Sequence, residues 1–181
     1  IDRQVVLVDV LNVLHGGDAY LHDMMQALEA IGDSFDYEGG LFRARIEKVL
    51  YAATKVDQVV SQDHDNVRHL LSSIVRKSLE RINGAQADVR VEAVASVRSS
   101  QADSQGGEEI LKGISSEGDA IGFVNPRIPD HIPTEAEFEA FIDWQLPVLK
   151  PPRGIRANQD QAIPHIRMDE VLHNLLGDIC R

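Results

Sequence analysis

Cations are scarce in this 181-residue sequence: 18 Lys and Arg stand against 29 Asp and Glu, a formal net charge of −11. Phosphate backbones are held by clustered cations, so nucleic acid is not an expected partner. Cysteine is scarcer still. Cys180, alone and one residue from the end, cannot form an intramolecular disulfide and suits a reducing compartment, so a cytoplasmic location is expected. No apolar run approaches the roughly 20 residues of a membrane-spanning helix, so no transmembrane segment is expected. Repeats of fixed period are missing as well. Seven histidines are present, but His15 and His22 lie seven apart and His64 and His69 five apart. Neither pair has the three- or four-residue spacing that aligns two ligands on a helix face, so no metal site is expected. His64, between Asp63 and Asp65, reads as part of a solvated helix start. Ile1 stands where a Met would, with charge and then a strand-like run directly after it and no leader pattern; the sequence is expected to be a piece of something longer.

What is present is a globular composition, 43% hydrophobic and 26% charged. A chain of this size buries roughly 70% of the surface its unfolded form exposes. Val5-Val6-Leu7-Val8-Asp9-Val10-Leu11 is a nearly continuous apolar run, the pattern of a strand covered on both faces in a parallel sheet. Gly16 and Gly17 break it. Leu21, Met24, Met25, Leu28 and Ile31 then recur at helical spacing, with Gly32 offering a C-terminal cap, which predicts a helix over 18–31. After a connection through Gly39 and Gly40, residues 48–54 read as a second buried strand. Val67, Leu70, Leu71, Ile74, Val75, Leu79 and Ile82 predict a helix over 63–83, and alternation from Val89 to Val97 predicts a third strand. The order is β-α-β-α-β.

Such alternation implies an α/β fold: a three-layer α-β-α arrangement with a parallel sheet, right-handed crossovers, helices on both faces and any ligand beyond the carboxyl ends of the strands. Residues 98–166 are less periodic. Residues 99–107 read as a polar loop, prolines punctuate short apolar stretches, and 153–161 reads as a mobile loop. Met168, Val171, Leu172, Leu175, Leu176 and Ile179 then share one face of a final helix. The expected organisation is an α/β core over 1–97, an extension with short strands and irregular structure over 98–167, and a helix over 168–181 packing on the core.

Thr54-Lys55-Val56-Asp57, directly after the second strand, carries the most chemistry. A carboxylate there can accept two parallel hydrogen bonds from the N1–H and 2-amino group of guanine, a donor pair adenine lacks, while a lysine stem lies along the flat face of the base. Without further context, Asp57 reads equally as the opening of the loop before the helix, with Lys55 solvated. The tetrapeptide resembles the N/T-K-x-D motif of P-loop GTPases, in which a short Ser-Ala-type segment after the next strand sends backbone N–H groups to the base; here Ala95-Ser96-Val97 ends that strand. The order of segments is narrower still: 2–9, Ala52-Ala53-Thr54-Lys55-Val56-Asp57, 70–73, Ala95-Ser96-Val97, Pro164-His165-Ile166-Arg167-Met168-Asp169 and Gly177-Asp178. Together they resemble the C-terminal half of the YcjX-like family of P-loop GTP-binding proteins.

The resemblance implies that Thr54, Lys55, Asp57, Ser96 and Val97 form the base site, with Asp57 selecting guanine, Lys55 stacking on it, and Ser96 and Val97 capping its edge through the backbone. It also implies GTP or GDP with Mg²⁺ as ligands of the full-length protein, which would be a nucleoside-triphosphatase or switch. No G-x-x-x-x-G-K-[ST] phosphate loop and no Asp-x-Pro-Gly segment occurs in the 181 residues. This chain alone is therefore expected to be inactive, with no catalytic residue and no tightly bound cofactor. Thr54 in place of the commoner Asn weakens the tie from the base loop to the phosphate loop.

Two alternatives stand beside this. Val8-Asp9-Val10-Leu11-Asn12 resembles the opening of PIN-like metal-dependent ribonucleases, whose sites need three or four carboxylates around Mg²⁺ or Mn²⁺; Asp57 is a second acid, but 95–97 supplies none. For Asp9 the plainer expectation is that it satisfies backbone donors at the head of the sheet. The other alternative is a non-catalytic interaction module whose proline-rich region, 120–153, holds a protein partner.

Overall fold

The apolar run at the start of the chain is divided between two elements in the computed structural model, which describes residues 3–35, 46–84, 87–152 and 162–179. β1 (Arg3–Val8) ends before Asp9, and α1 (Val10–Phe35) begins directly after it. The sequence reading carried the strand through Leu11 and began the helix at 18. The correction has a physical basis. Val10, Leu11, Val13 and Leu14 are buried at helical spacing, and Asp9 Oδ1 accepts the Asn12 N–H at 3.2 Å, a side-chain cap in a one-residue turn. Gly17, at φ 74° and ψ −169°, is non-helical and divides α1 into two helices, so the second begins at 18, where the sequence places it. Gly32 does not cap the helix either. It lies inside α1 at a close approach, where a Cβ would meet Ser78 Cβ at 3.1 Å and Ser78 Cα at 3.2 Å.

β2 (Lys48–Ala53) and β3 (Asp88–Ala93) complete a parallel sheet in the order β1-β2-β3, in register Val5↔Leu50↔Arg90 and Leu7↔Ala52↔Glu92. Between them run α2 (His64–Ile74) and α3 (Arg76–Gly84), two helices where one was expected, separated at Val75. The main core joins Val6, Val8, Val49, Tyr51 and Ala53 of the sheet to Leu28 of α1, Leu70 and Leu71 of α2 and Ile82 of α3. All three helices therefore pack on one face, not on both. Two successive right-handed crossovers in the same direction across a sheet leave their helices on the same side. The other face carries a smaller cluster of Leu50, Ala52, Val94 and Val171 under α4 (Met168–Leu176), the only helix there among the described residues. The result is a mixed α/β structure in three layers.

Residues 99–107 are not a loop. β4 (Gln101–Gln105), β5 (Glu108–Ile114) and β6 (Ala120–Phe123) form a separate antiparallel sheet, with Gly106 (φ 65°) and Gly107 (φ 90°) as the two-residue hairpin turn. A Gly-Gly pair supplies the positive φ such a turn requires. Every residue of β4 is exposed, so no alternation marks it in the sequence; pairing with β5 and the Asp103–Lys112 ion pair hold it. A short helix, Glu135–Phe138, is opened by a Thr134/Glu137 capping box and leads into Phe141 and Trp144, packed edge to face at 5.4 Å. The expected mobile loop over 153–161, the connection through Gly39 and Gly40, and Cys180 lie outside the described residues. In α4 the expected single apolar face is split: Val171 is buried, but Leu172 and Leu176 are exposed.

Candidate functional site

The carboxyl ends of the three parallel strands meet where the sequence places its motif. Thr54 follows β2 and is tied sideways to β1, its N–H donating to Val8 O at 3.0 Å and its hydroxyl at 3.4 Å to the same oxygen. Lys55 takes the left-handed conformation (φ 64°), which turns the chain sharply into a 3₁₀ turn at Val56–Gln58. Its ammonium reaches back across the strand ends to Asp9 Oδ2 at 2.7 Å. Lys55 is thus paired rather than simply solvated, with its stem stretched along the head of the sheet. Asp9 serves two donors, this ammonium and the Asn12 N–H.

Asp57 is buried, 6% exposed, yet its carboxylate is held in place by a single described donor: Oδ2 accepts the Ser99 N–H at 2.8 Å. Ser100 donates its hydroxyl to the Asp57 backbone oxygen. These two bonds bring the segment after β3 onto the loop after β2, so Asp57 and 96–100 converge although some forty residues separate them. Ser96 and Val97 lie on that segment between two anchored neighbours: Ala95 exchanges both backbone hydrogen bonds with Ile166, and the Arg98 N–H donates to Pro164 O at 2.7 Å. Neither the Ser96 nor the Val97 N–H meets a protein acceptor among the described residues. The structure therefore gathers Thr54, Lys55, Asp57, Ser96 and Val97 at one end of the sheet.

Other residues hold them in place. Ser99 and Ser100 clamp Asp57; Ser99 was expected among the residues at the strand ends, whereas no pattern singles out Ser100 in the polar run. The stretch from Pro164 to Arg167 buttresses the segment after β3; Arg167, at φ 57°, donates to Ala93 O at 3.3 Å and reaches Asp65 at 3.4 Å. Beyond Ser99 opens a cavity of about 1120 Å³ against the antiparallel sheet, lined in part by Arg98, Lys112, Lys150 and Ile121.

The start of α2 is also not a solvated cap. Asp63 is buried, and its side chain accepts from the Ile128 N–H at 3.0 Å, Asn66 at 3.2 Å and Asn125 at 3.5 Å, pinning the chain beyond β6 to the head of α2. His64 beside it donates from Nε2 to Val59 O at 3.1 Å; burial lowers its pKa below 6.5, with Arg167 and Arg98 adding to the fall and the Val59 and Glu109 contacts opposing it.

A metal finds no such convergence. Among the described residues no three His, Cys, Asp or Glu side chains gather into a group that could hold a metal ion. No described helix is long and apolar enough to cross a membrane.

The sequence matches the pattern of the YcjX-like family, DUF463, over residues 1–180. The chain belongs to the YcjX-like family. It is similar to the Ras-like GTPase YcjX of Escherichia coli, 33% identical over 200 residues, an alignment covering 99% of this chain and 40% of that protein. It is also similar to the Ras-like GTPase YcjX of Shewanella oneidensis, 29% identical over 187 residues, covering 98% of this chain and 38% of the relative. The chain spans about two fifths of the length of these YcjX relatives.

Proposed function

We propose that this segment of a YcjX-like protein supplies guanine recognition to a GTP-binding site whose phosphate and Mg²⁺ contacts come from the rest of the full-length protein. The observation that carries the reading is the Asp57 carboxylate: buried, fixed by Ser99, with Oδ1 meeting no protein donor among the described residues. It has the acceptor capacity for the guanine N1–H and 2-amino pair. Lys55 supplies an extended alkyl stem at the rim, Thr54 sets the loop on β1, and the Ser96 and Val97 amides are placed to reach the O6 edge. Within this reading residues 1–97 are the nucleotide-binding core, 98–167 an extension that carries the Ser99 and Ser100 clamp, and the protein acts in the cytoplasm as a GTPase or switch. The catalytic groups lie outside this chain.

A second reading, docking of a protein partner on 120–153, is favoured by large apolar side chains left in solvent there, Val124, Ile142 and Val148. Titration calorimetry separates the two. The full-length protein takes GTP–Mg²⁺ with guanine preference, whereas the 181-residue chain binds no tighter than about millimolar: base contacts alone stand against roughly 4 kcal/mol or more of lost translational and rotational freedom. No measurable guanine nucleotide binding by the full-length protein sinks the proposal. A micromolar dissociation constant for the 181-residue chain would place a phosphate site within it.

A further inference from the structure

Asp9 stands at the head of β1, outside the proposed base contacts, yet both of its carboxylate oxygens are engaged. Oδ1 accepts the Asn12 N–H at 3.2 Å and so caps α1, and Oδ2 accepts from the Lys55 ammonium at 2.7 Å. The first bond is local, three residues along the chain. The second spans 46 residues and joins the end of β1 to the loop after β2. Stability is a poor reason for it: the Lys55 side chain is 50% exposed and that of Asp9 24%, and ion pairs so open to water add little to folding.

Lys55 is fixed at its other end as well. Its backbone stands at φ 64°, a left-handed conformation that residues with a side chain seldom adopt and that gathers at functional sites. The Thr54 N–H on Val8 O just before it, at 3.0 Å, and the Gln58 N–H on the Lys55 carbonyl just after it, at 2.9 Å, hold the chain in that turn. With backbone and ammonium both held, the four-carbon stem between them is stretched rather than free to sample its rotamers. A lysine left loose would have to be ordered by its ligand, and that ordering weakens binding.

We propose that Asp9 is the positioning residue for Lys55, holding its ammonium so that the stem lies ready as the platform for a purine base. The inference rests on the guanine reading of this site and extends it to a residue that itself touches no nucleotide. Asp57 and Asp9 then act on different parts of the ligand. Asp57 chooses the base by its hydrogen-bonding edge, whereas Asp9 acts through a stem on which any purine can lie. Loss of Asp9 therefore weakens all purine nucleotides alike.

Asp9→Asn tests this, because asparagine keeps an acceptor for the Asn12 N–H but presents no charge to the lysine. In titration calorimetry of the full-length protein, GTP, ITP and XTP with Mg²⁺ should each bind roughly two- to tenfold more weakly, the equivalent of ordering one rotamer-rich side chain. The ratios among the three should stay at their wild-type values. In a Lys55→Met background, which keeps an unbranched stem without the ammonium, Asp9→Asn should change nothing further. A merely structural Asp9 would instead lower the thermal midpoint of the nucleotide-free protein and weaken binding in both backgrounds, and that result overturns the proposal. A changed ratio would mean that Asp9 reads the base directly, and overturns it equally. Unchanged affinities in Asp9→Asn also overturn it while leaving the guanine reading in place. If the wild-type protein binds no guanine nucleotide, the guanine reading itself has failed and the proposal falls with it.

Discussion

Asp57→Asn separates base selection from loop architecture, because asparagine keeps one carbonyl oxygen. That oxygen can still accept the Ser99 N–H, bonded at 2.8 Å to Asp57 Oδ2, so the segment after β3 stays on the loop after β2. What changes is the side facing the base, where an acceptor becomes an NH₂ donor and meets the guanine donors head-on. A hydrogen bond to a charged group contributes about 1.5–3 kcal/mol, and each 1.4 kcal/mol is tenfold in affinity. GTP affinity of the full-length protein should therefore fall roughly 10- to 150-fold, while XTP, whose 2-carbonyl accepts from the new NH₂, should gain. Competition titration with GTP, ITP and XTP reads the pattern, and wild type should prefer GTP over ITP because inosine lacks the 2-amino group. Asp57→Ala is the contrast: it also orphans the Ser99 N–H at a part-buried position and costs about 1–3 kcal/mol of stability. If Asp57→Asn leaves the GTP, ITP and XTP affinities where they were, Asp57 does not touch the base.

Three further outcomes follow from contacts away from the base loop. Asp63→Ala leaves the buried Ile128 N–H without its acceptor, while the Asn66 and Asn125 amides keep Ile128 O and Pro126 O, and should cost about 1–3 kcal/mol in urea unfolding. A loss under about 0.5 kcal/mol would show that this junction is solvated. Gly32→Val should lower the thermal midpoint, because its Cβ meets the Ser78 backbone side at 3.2 Å and overpacking of about 1–3 kcal/mol exceeds the roughly 1 kcal/mol that leaving glycine restores to a helix. His64 has a folded pKa depressed below 6.5, so its contribution to stability is fully present above pH 6.5 and is lost as pH falls through the lowered folded value. His64→Gln, whose amide can still donate to Val59, should flatten that acid limb in a pH series of unfolding midpoints.

The parallel core was legible because its signals are local. Continuous β-branched runs mark strands covered on both faces, and Leu70, Leu71, Ile74 and Val75 mark a helix by spacing alone. The junction between β1 and α1 was not, since Val10, Leu11, Val13 and Leu14 are apolar for a helix and Val5 to Val8 for a strand, and nothing but Asp9 divides them. β4 was invisible for the opposite reason: all its residues face solvent, and its structure comes from pairing with β5. The Gly106-Gly107 turn was the available clue. At the candidate site Lys55 and Asp57 stand out by their chemistry and Ser99 by its place after the third strand, whereas Ser100 is not singled out and Arg167 enters only within the segment from Pro164 to Asp169. Positioning is done by backbone donors and acceptors, which every residue carries, so it leaves no mark in the side-chain pattern.

Asp9 connects the base loop to the open edge of the sheet. It closes β1 and holds the Lys55 ammonium, so the loop after β2 is anchored to an edge strand of the described sheet. A strand added in parallel would run about 4.8 Å from β1 and would end at the same carboxyl edge as Asp9. Whatever follows it then emerges one strand spacing from Asp9 and two from the loop after β2, on the side of the sheet ends where ligands of α/β folds gather. In a chain whose net charge is −11, that neighbourhood has one cation already in place, Lys55, half-exposed and oriented by Asp9. The proposed base contacts thus lie at the ends of β2 and β3, and the space beside β1 is open among the described residues.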